Sequence, residues 1–141
     1  MPLRIRTQLF DRAGRTPVAG AIVSGYQTNR EGLYTQPGDE TWRLFGWAKT
    51  DADGRAAFDT IHPGPYPGRT AAAHIHFHAE GAGLRRQSLS TMMFEGDPLL
   101  TAQNRADSAK LGRFGFIRAT ETRDGREECD ILFHAVEAFV F

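Results

Sequence analysis

The chain has 141 residues, 40% apolar and 24% charged, a balance that buries one core without disulfide staples. Lys plus Arg and Asp plus Glu both number 17, which excludes a broad basic face for nucleic acid or anionic membrane. The single cysteine, Cys129, excludes an internal disulfide, and no apolar run is long enough for a signal peptide or a bilayer span, so a soluble cytoplasmic protein is expected.

In chain order, Leu3, Ile5, Thr7 and Leu9 alternate with Arg4, Arg6 and Gln8, the period of a half-buried strand. A turn over Asp11–Pro17 leads to a second strand, Ala21–Gln27, and Phe45–Thr50 reads as a third. Asp51-Ala52-Asp53-Gly54 is a turn, followed by a fourth strand over Ala56–Ile61. Pro63, Pro65 and Pro67 remove donors and fix the backbone, so the segment around Tyr66 is neither helix nor central strand. His74–His78 and Leu89–Phe94 are further strands, and Pro98–Leu111 is the one helical stretch, with Leu99, Leu100, Ala106 and Leu111 loosely on one side. The last strands are Phe114–Ala119 and Cys129–Phe133, the latter running on towards Phe141, joined at Asp124-Gly125. Short strands between turn signals predict an all-β fold: a single-domain β-sandwich with long loops and one short helical segment near 98–111.

The chemistry concentrates in two places. His74 and His76 stand two apart in a strand, so both imidazoles leave the same face, roughly 6 to 7 Å apart at the backbone, and can serve one metal ion. His78 is next on that face, a candidate to line a substrate pocket. Taken alone, a His-x-His pair is more often structural than ligating. Tyr66 sits in the rigid proline turn just before the strand, and a phenol with pKa near 10 becomes an anionic ligand only beside a strongly Lewis-acidic ion. Iron(III) meets that demand better than zinc. Alone, Tyr66 reads equally well as a turn residue packed on the sandwich rim.

The runs Asp51–Arg55, Phe58–Pro67 and Ala73–Phe77 resemble the signature of the intradiol ring-cleavage dioxygenases, and most nearly that of protocatechuate 3,4-dioxygenase subunits. Gly14–Ala21, Gly32-Leu33-Tyr34 and Met92–Pro98 extend the resemblance over nearly the whole chain. It implies a non-haem Fe(III) enzyme that opens a catechol-type ring with both atoms of O2 to a muconate-type diacid. It implies Tyr34 and His74 as equatorial ligands, Tyr66 and His76 as axial ligands, and Tyr66 as the ligand that leaves to take a substrate proton. The partners implied are a small aromatic diol and O2, and by analogy a homo-oligomer.

Two positions depart from the family pattern. The arginine three residues before the first histidine is Ala71 here, with Arg69 left as a partial substitute in the catalytic set. A glutamine of the later strand is replaced by Thr91, a pocket candidate together with His78 and Trp47. Trp42 and Trp47 otherwise read as core or pocket-wall aromatics, His62 as a surface group, Arg85-Arg86 as a solvated strand edge, and Cys129 as a buried strand residue. Two other readings stand beside this one: a related iron(III) oxygenase acting on a differently substituted ring, and a transthyretin-like β-sandwich binding module without catalysis.

Overall fold

The computed structural model describes residues 2–35 and 44–136; Trp42 and the run towards Phe141 lie outside the described residues. In chain order the elements are β1 (Pro2–Phe10), β2 (Ile22–Gln27), β3 (Phe45–Lys49), β4 (Arg55–Ile61), β5 (His74–Gly81), β6 (Leu84–Ser88), β7 (Met92–Phe94), α1 (Ala102–Lys110), β8 (Ile117–Arg118), β9 (Glu121–Arg123) and β10 (Arg126–His134). They form two sheets. One has the order β4-β1-β10-β9; the other runs β3-β2-β5-β7-β8, with β6 also paired to β5. The expected all-β sandwich with a short helix is what the chain builds.

The alternation read from the sequence decides which way each strand faces. Leu3, Ile5 and Leu9 of β1 and Cys129, Ile131 and Phe133 of β10 point inward from the first sheet. Val23 of β2 and Ile75, Phe77 and Ala79 of β5 point inward from the second. Phe77 bridges the sheets, with its ring centroid 5.1 Å from Phe133 and 5.7 Å from Phe58. Burying Ile75, Phe77 and Ala79 forces His74, His76 and His78 to the opposite face, because side chains alternate along a strand. Cys129 is buried as expected, and burial pushes its thiol pKa up to about 12, so it stays an inert thiol.

Several local readings need correction. Phe114–Ala119 is not a continuous strand: Gly112–Phe114 forms a 3-10 turn, and only Ile117–Arg118 pairs, parallel to β7. Asp124-Gly125 therefore joins β9 to β10, both residues having positive φ, as a tight hairpin demands. The strand expected over Leu89–Phe94 is confined to β7, because Leu89 bonds to the Phe77 carbonyl just past β6. The helix is Ala102–Lys110, started by a capping box between Thr101 and Asn104. Its inward residue is Ser108, not the apolar set: Ala106 is exposed and Leu111 is 36% exposed. The Ser108 hydroxyl accepts from the Phe116 and Ile117 amides, pinning the helix to β8.

Candidate metal centre

Two loops and one strand bring the donor atoms together. The loop carrying Tyr34 is folded by Asn29, whose side-chain oxygen accepts from the amides of Glu31 and Leu33, both at 3.0 Å. The Asn29 carbonyl accepts from Gly32 and from Gly64, which ties this loop to the proline turn carrying Tyr66. The Thr28 hydroxyl adds a 2.7 Å bond to the Gly64 carbonyl. The backbones approach so closely that a side chain on either glycine would overlap the other loop: at Gly32 it would meet the Pro65 carbonyl, at Gly64 the Arg30 carbonyl. Gly32 also has φ of +82°, a conformation that costs other residues roughly 1–3 kcal/mol. The glycine two residues before Tyr34 therefore sets how near Tyr34 comes to Tyr66.

β5 supplies the nitrogens. The Ala73 amide ahead of it donates to Asp97 at 3.0 Å, fixing where the strand begins. His74 Nδ1 lies 2.7 Å from the Ala72 carbonyl, which can only accept, so Nδ1 carries the ring proton and Nε2 presents a bare lone pair. Tyr66 Oη lies 2.9 Å from that Nε2 and so donates to it. Tyr66 Oη also shares a 2.5 Å hydrogen bond with Tyr34 Oη, in which Tyr34 must donate, since the Tyr66 proton is already committed. Tyr34 Oη is in turn 3.1 Å from His76 Nε2, which donates by the same elimination. Four donor atoms from Tyr34, Tyr66, His74 and His76 thus form one unbroken chain, and the His74 and His76 rings stand perpendicular with centroids 4.8 Å apart.

Burial favours the neutral forms of Tyr34 and His76. Burial, the Tyr66 hydrogen bond and the neighbouring phenols hold the Tyr34 hydroxyl well above the ordinary phenol value. Two phenolates here are sustained only by a nearby positive charge of high Lewis acidity. Burial, with help from His74 and His78, pushes the His76 pKa down, favouring the neutral imidazole that ligates metals. Among the described residues no three His, Cys, Asp or Glu side chains come together, so a metal held at this point would need the phenol oxygens as well as the imidazoles. Two phenol oxygens and two imidazole nitrogens suit a hard trivalent ion such as iron(III).

The other expected site residues are placed differently. His78 Nε2 bonds to the Ser88 hydroxyl at 3.2 Å, one step along β5 from the donors. Arg69 sits in the turn after Tyr66 with φ of 54°; its amide bonds to the Tyr66 carbonyl, but its guanidinium pairs with no described residue. It lines a separate hollow with His62, Pro65, Ala73 and Asp97 that includes none of the four donors. Thr91 is half-buried just ahead of β7. Trp47 is not a core residue: it is 65% exposed on the edge strand β3, two pairings across from His78 through Ser24. His62 is not a free surface group either. Its Nδ1 lies 3.3 Å from Glu127, 65 residues away, and its ring rests on Phe94 with centroids 4.1 Å apart. A residue with no earlier claim, Tyr26, lies across from His76 in the sheet register; only strand pairing brings the two together.

Residues 1–134 match the family model described as Dioxygenase. The chain is 36% identical over 150 residues to the protocatechuate 3,4-dioxygenase beta chain of Burkholderia cepacia, covering 93% of this chain and 63% of that relative. It is 32% identical over 105 residues to catechol 1,2-dioxygenase 1 of Acinetobacter lwoffii, covering 60% of this chain and 33% of that relative. The chain thus spans less than two thirds of either curated relative. Among solved structures, it is similar to the dioxygenase domain of a dioxygenase–carbohydrate-binding protein fusion from Streptomyces sp. SirexAA-E. The TM-score is 0.74 at 25% identity, covering 97% of this chain and 80% of that one. An intradiol ring-cleavage dioxygenase from Tetranychus urticae shares the fold, with a TM-score of 0.71 at 19% identity over 98% of this chain and 83% of that one.

Proposed function

Because the chain belongs to the intradiol ring-cleavage dioxygenase family, we propose that it is an iron(III) enzyme, acting as one catalytic domain, that opens a catechol-type ring between its two hydroxylated carbons. One observation supports this above all: two phenol oxygens and two imidazole nitrogens converge in a single hydrogen-bonded chain with steps of 2.5 to 3.1 Å. A binding module of the same fold has no need to bury two phenols against two imidazoles.

Tyr34, Tyr66, His74 and His76 are the residues that would hold the metal. Bound there, iron(III) would supply Lewis acidity and the means to activate a catechol-type diol towards oxygen. His74 is oriented for this by the Ala72 carbonyl. Tyr34, in the loop that Gly32 and Asn29 hold against the proline turn, is assigned the phenol that remains in place. Tyr66, whose own proton would be lost on binding the metal, would as phenolate take the first proton of the incoming diol at its Oη. Arg69, expected to substitute in part for the family arginine that Ala71 replaces, lines a hollow without the four donors and is given no role in this reaction. The diol and both atoms of oxygen together have the composition of the diacid, so no further reductant is required. Assembly into an oligomer is part of this proposal, since one relative is named as a beta chain, a subunit of a larger assembly.

The test is oxygen uptake by the iron-loaded protein over a panel of catechol, protocatechuate, hydroxyquinol and substituted catechols. One member is expected to consume one oxygen per ring, and isotopically labelled oxygen is expected to appear as two atoms in an open-chain diacid. A product labelled with one atom, or one still cyclic and merely oxidised to a quinone, would overturn ring cleavage.

A further inference from the structure

The two ligand imidazoles are held by different means. His74 is fixed by a hydrogen bond from Nδ1 to the Ala72 carbonyl. His76 Nδ1 has no such partner among the described residues, where its ring is bonded to Tyr34 at Nε2 and lies against neighbouring aromatic rings. Of these, the Tyr26 ring lies closest to parallel, its centroid 4.7 Å from that of His76 and its plane tilted only 17°. The same Tyr26 ring lies against His78, with centroids 5.6 Å apart and planes tilted 21°.

From this geometry we infer that Tyr26 is a positioning residue: its ring, stacked on His76, sets the plane in which that imidazole meets the metal. The inference rests on the proposed metal centre but adds a residue to it. Three facts make the stack stiff. Tyr26 and His76 are direct cross-strand partners in the antiparallel β2–β5 pair, where facing side chains are about 4.5–5.5 Å apart. β2 is a central strand, held by β3 on one side and β5 on the other, so Tyr26 cannot drift along the sheet. His78 packs on the same ring and limits its rotation. A ligand imidazole normally has its second nitrogen fixed by a hydrogen bond, and losing that support typically costs about 10–100-fold in metal affinity. For His76 the stacked ring takes over that task. A flat ring acts this way whether or not it carries a hydroxyl, whereas an aliphatic side chain of similar bulk does not define a plane.

The experiment compares Tyr26→Phe and Tyr26→Leu with the parent, each loaded with iron(III). Two readouts are taken: the rate at which a competing chelator removes the iron, and the position of the visible phenolate-to-iron absorption. Tyr26→Leu is expected to release iron about tenfold faster and to shift the band, while Tyr26→Phe stays within about twofold of the parent with an unmoved band. Thermal unfolding of both variants in the metal-free state gives the control, and a similar midpoint for the two is expected. If Tyr26→Leu holds iron as the parent does, or Tyr26→Phe fails as badly as Tyr26→Leu, ring stacking is not what orients His76. If Tyr26→Leu alone unfolds metal-free, the role is structural and the inference fails. A parent protein that takes up no iron would overturn the metal centre itself, a distinct outcome.

Discussion

His74→Ala and His76→Ala are each expected to leave the protein without stoichiometric iron, whereas His78→Ala is expected to retain one iron per chain. The three histidines share a face of β5, and sequence spacing alone does not separate them. The geometry does. His74 Nε2 and His76 Nε2 lie 2.9 and 3.1 Å from the oxygens of Tyr66 and Tyr34, while His78 Nε2 is engaged by the Ser88 hydroxyl one strand away. Removing a direct ligand should exceed the roughly 10–100-fold loss that follows removal of a mere supporting contact. Removing His78 takes away a neighbour of Tyr26, not a donor. Metal content after reconstitution and desalting measures this. If His78→Ala strips iron as completely as the other two, the centre is a three-histidine site and the roles given to the tyrosines are wrong.

The two tyrosines are expected to part company when each loses only its hydroxyl. Tyr66→Phe should keep substantial iron and lose turnover by about 10²-fold or more, the usual scale for a positioned proton acceptor. Tyr34→Phe should impair iron binding and colour more severely. Tyr66 is assigned the phenolate that accepts the diol's proton, so removing its oxygen removes the proton acceptor while three protein donors remain. Tyr34 is assigned the ligand that stays in place throughout, so losing its hydroxyl removes a lasting bond to the metal. Turnover of each variant, normalised to bound iron, separates loss of metal from loss of chemistry. A Tyr66→Phe protein that turns over catechol at the parent rate per iron would remove the proton-accepting role and leave Tyr66 a structural turn residue.

Much of this centre was legible in the sequence because its pieces are local. The strand period of two places His74 and His76 together and three prolines confine Tyr66 to a turn, while Tyr34 was reached only through the resemblance of Gly32-Leu33-Tyr34 to a family motif. What was not legible depends on partners distant in sequence. The stack of Tyr26 on His76 comes from β2–β5 register, the His62–Glu127 pair spans 65 residues, and the exposure of Trp47 follows from β3 lying at a sheet edge. Phe114–Phe116 carries strand-like residues, yet Gly112 and the Ser108 hydroxyl turn the chain there, a tertiary choice that overrides local preference. The same limit applies to Arg69: its place after the proline turn was readable, but not that its side chain faces a hollow apart from the four donors.

The most direct test of the iron(III) centre is the visible spectrum of the purified protein, taken with its metal content. Two phenolates on iron(III) should give a red-brown protein with one iron per chain, and adding a catechol should move the absorption to longer wavelength as the diol replaces Tyr66. A colourless protein, fully active with stoichiometric zinc and no iron, would contradict it.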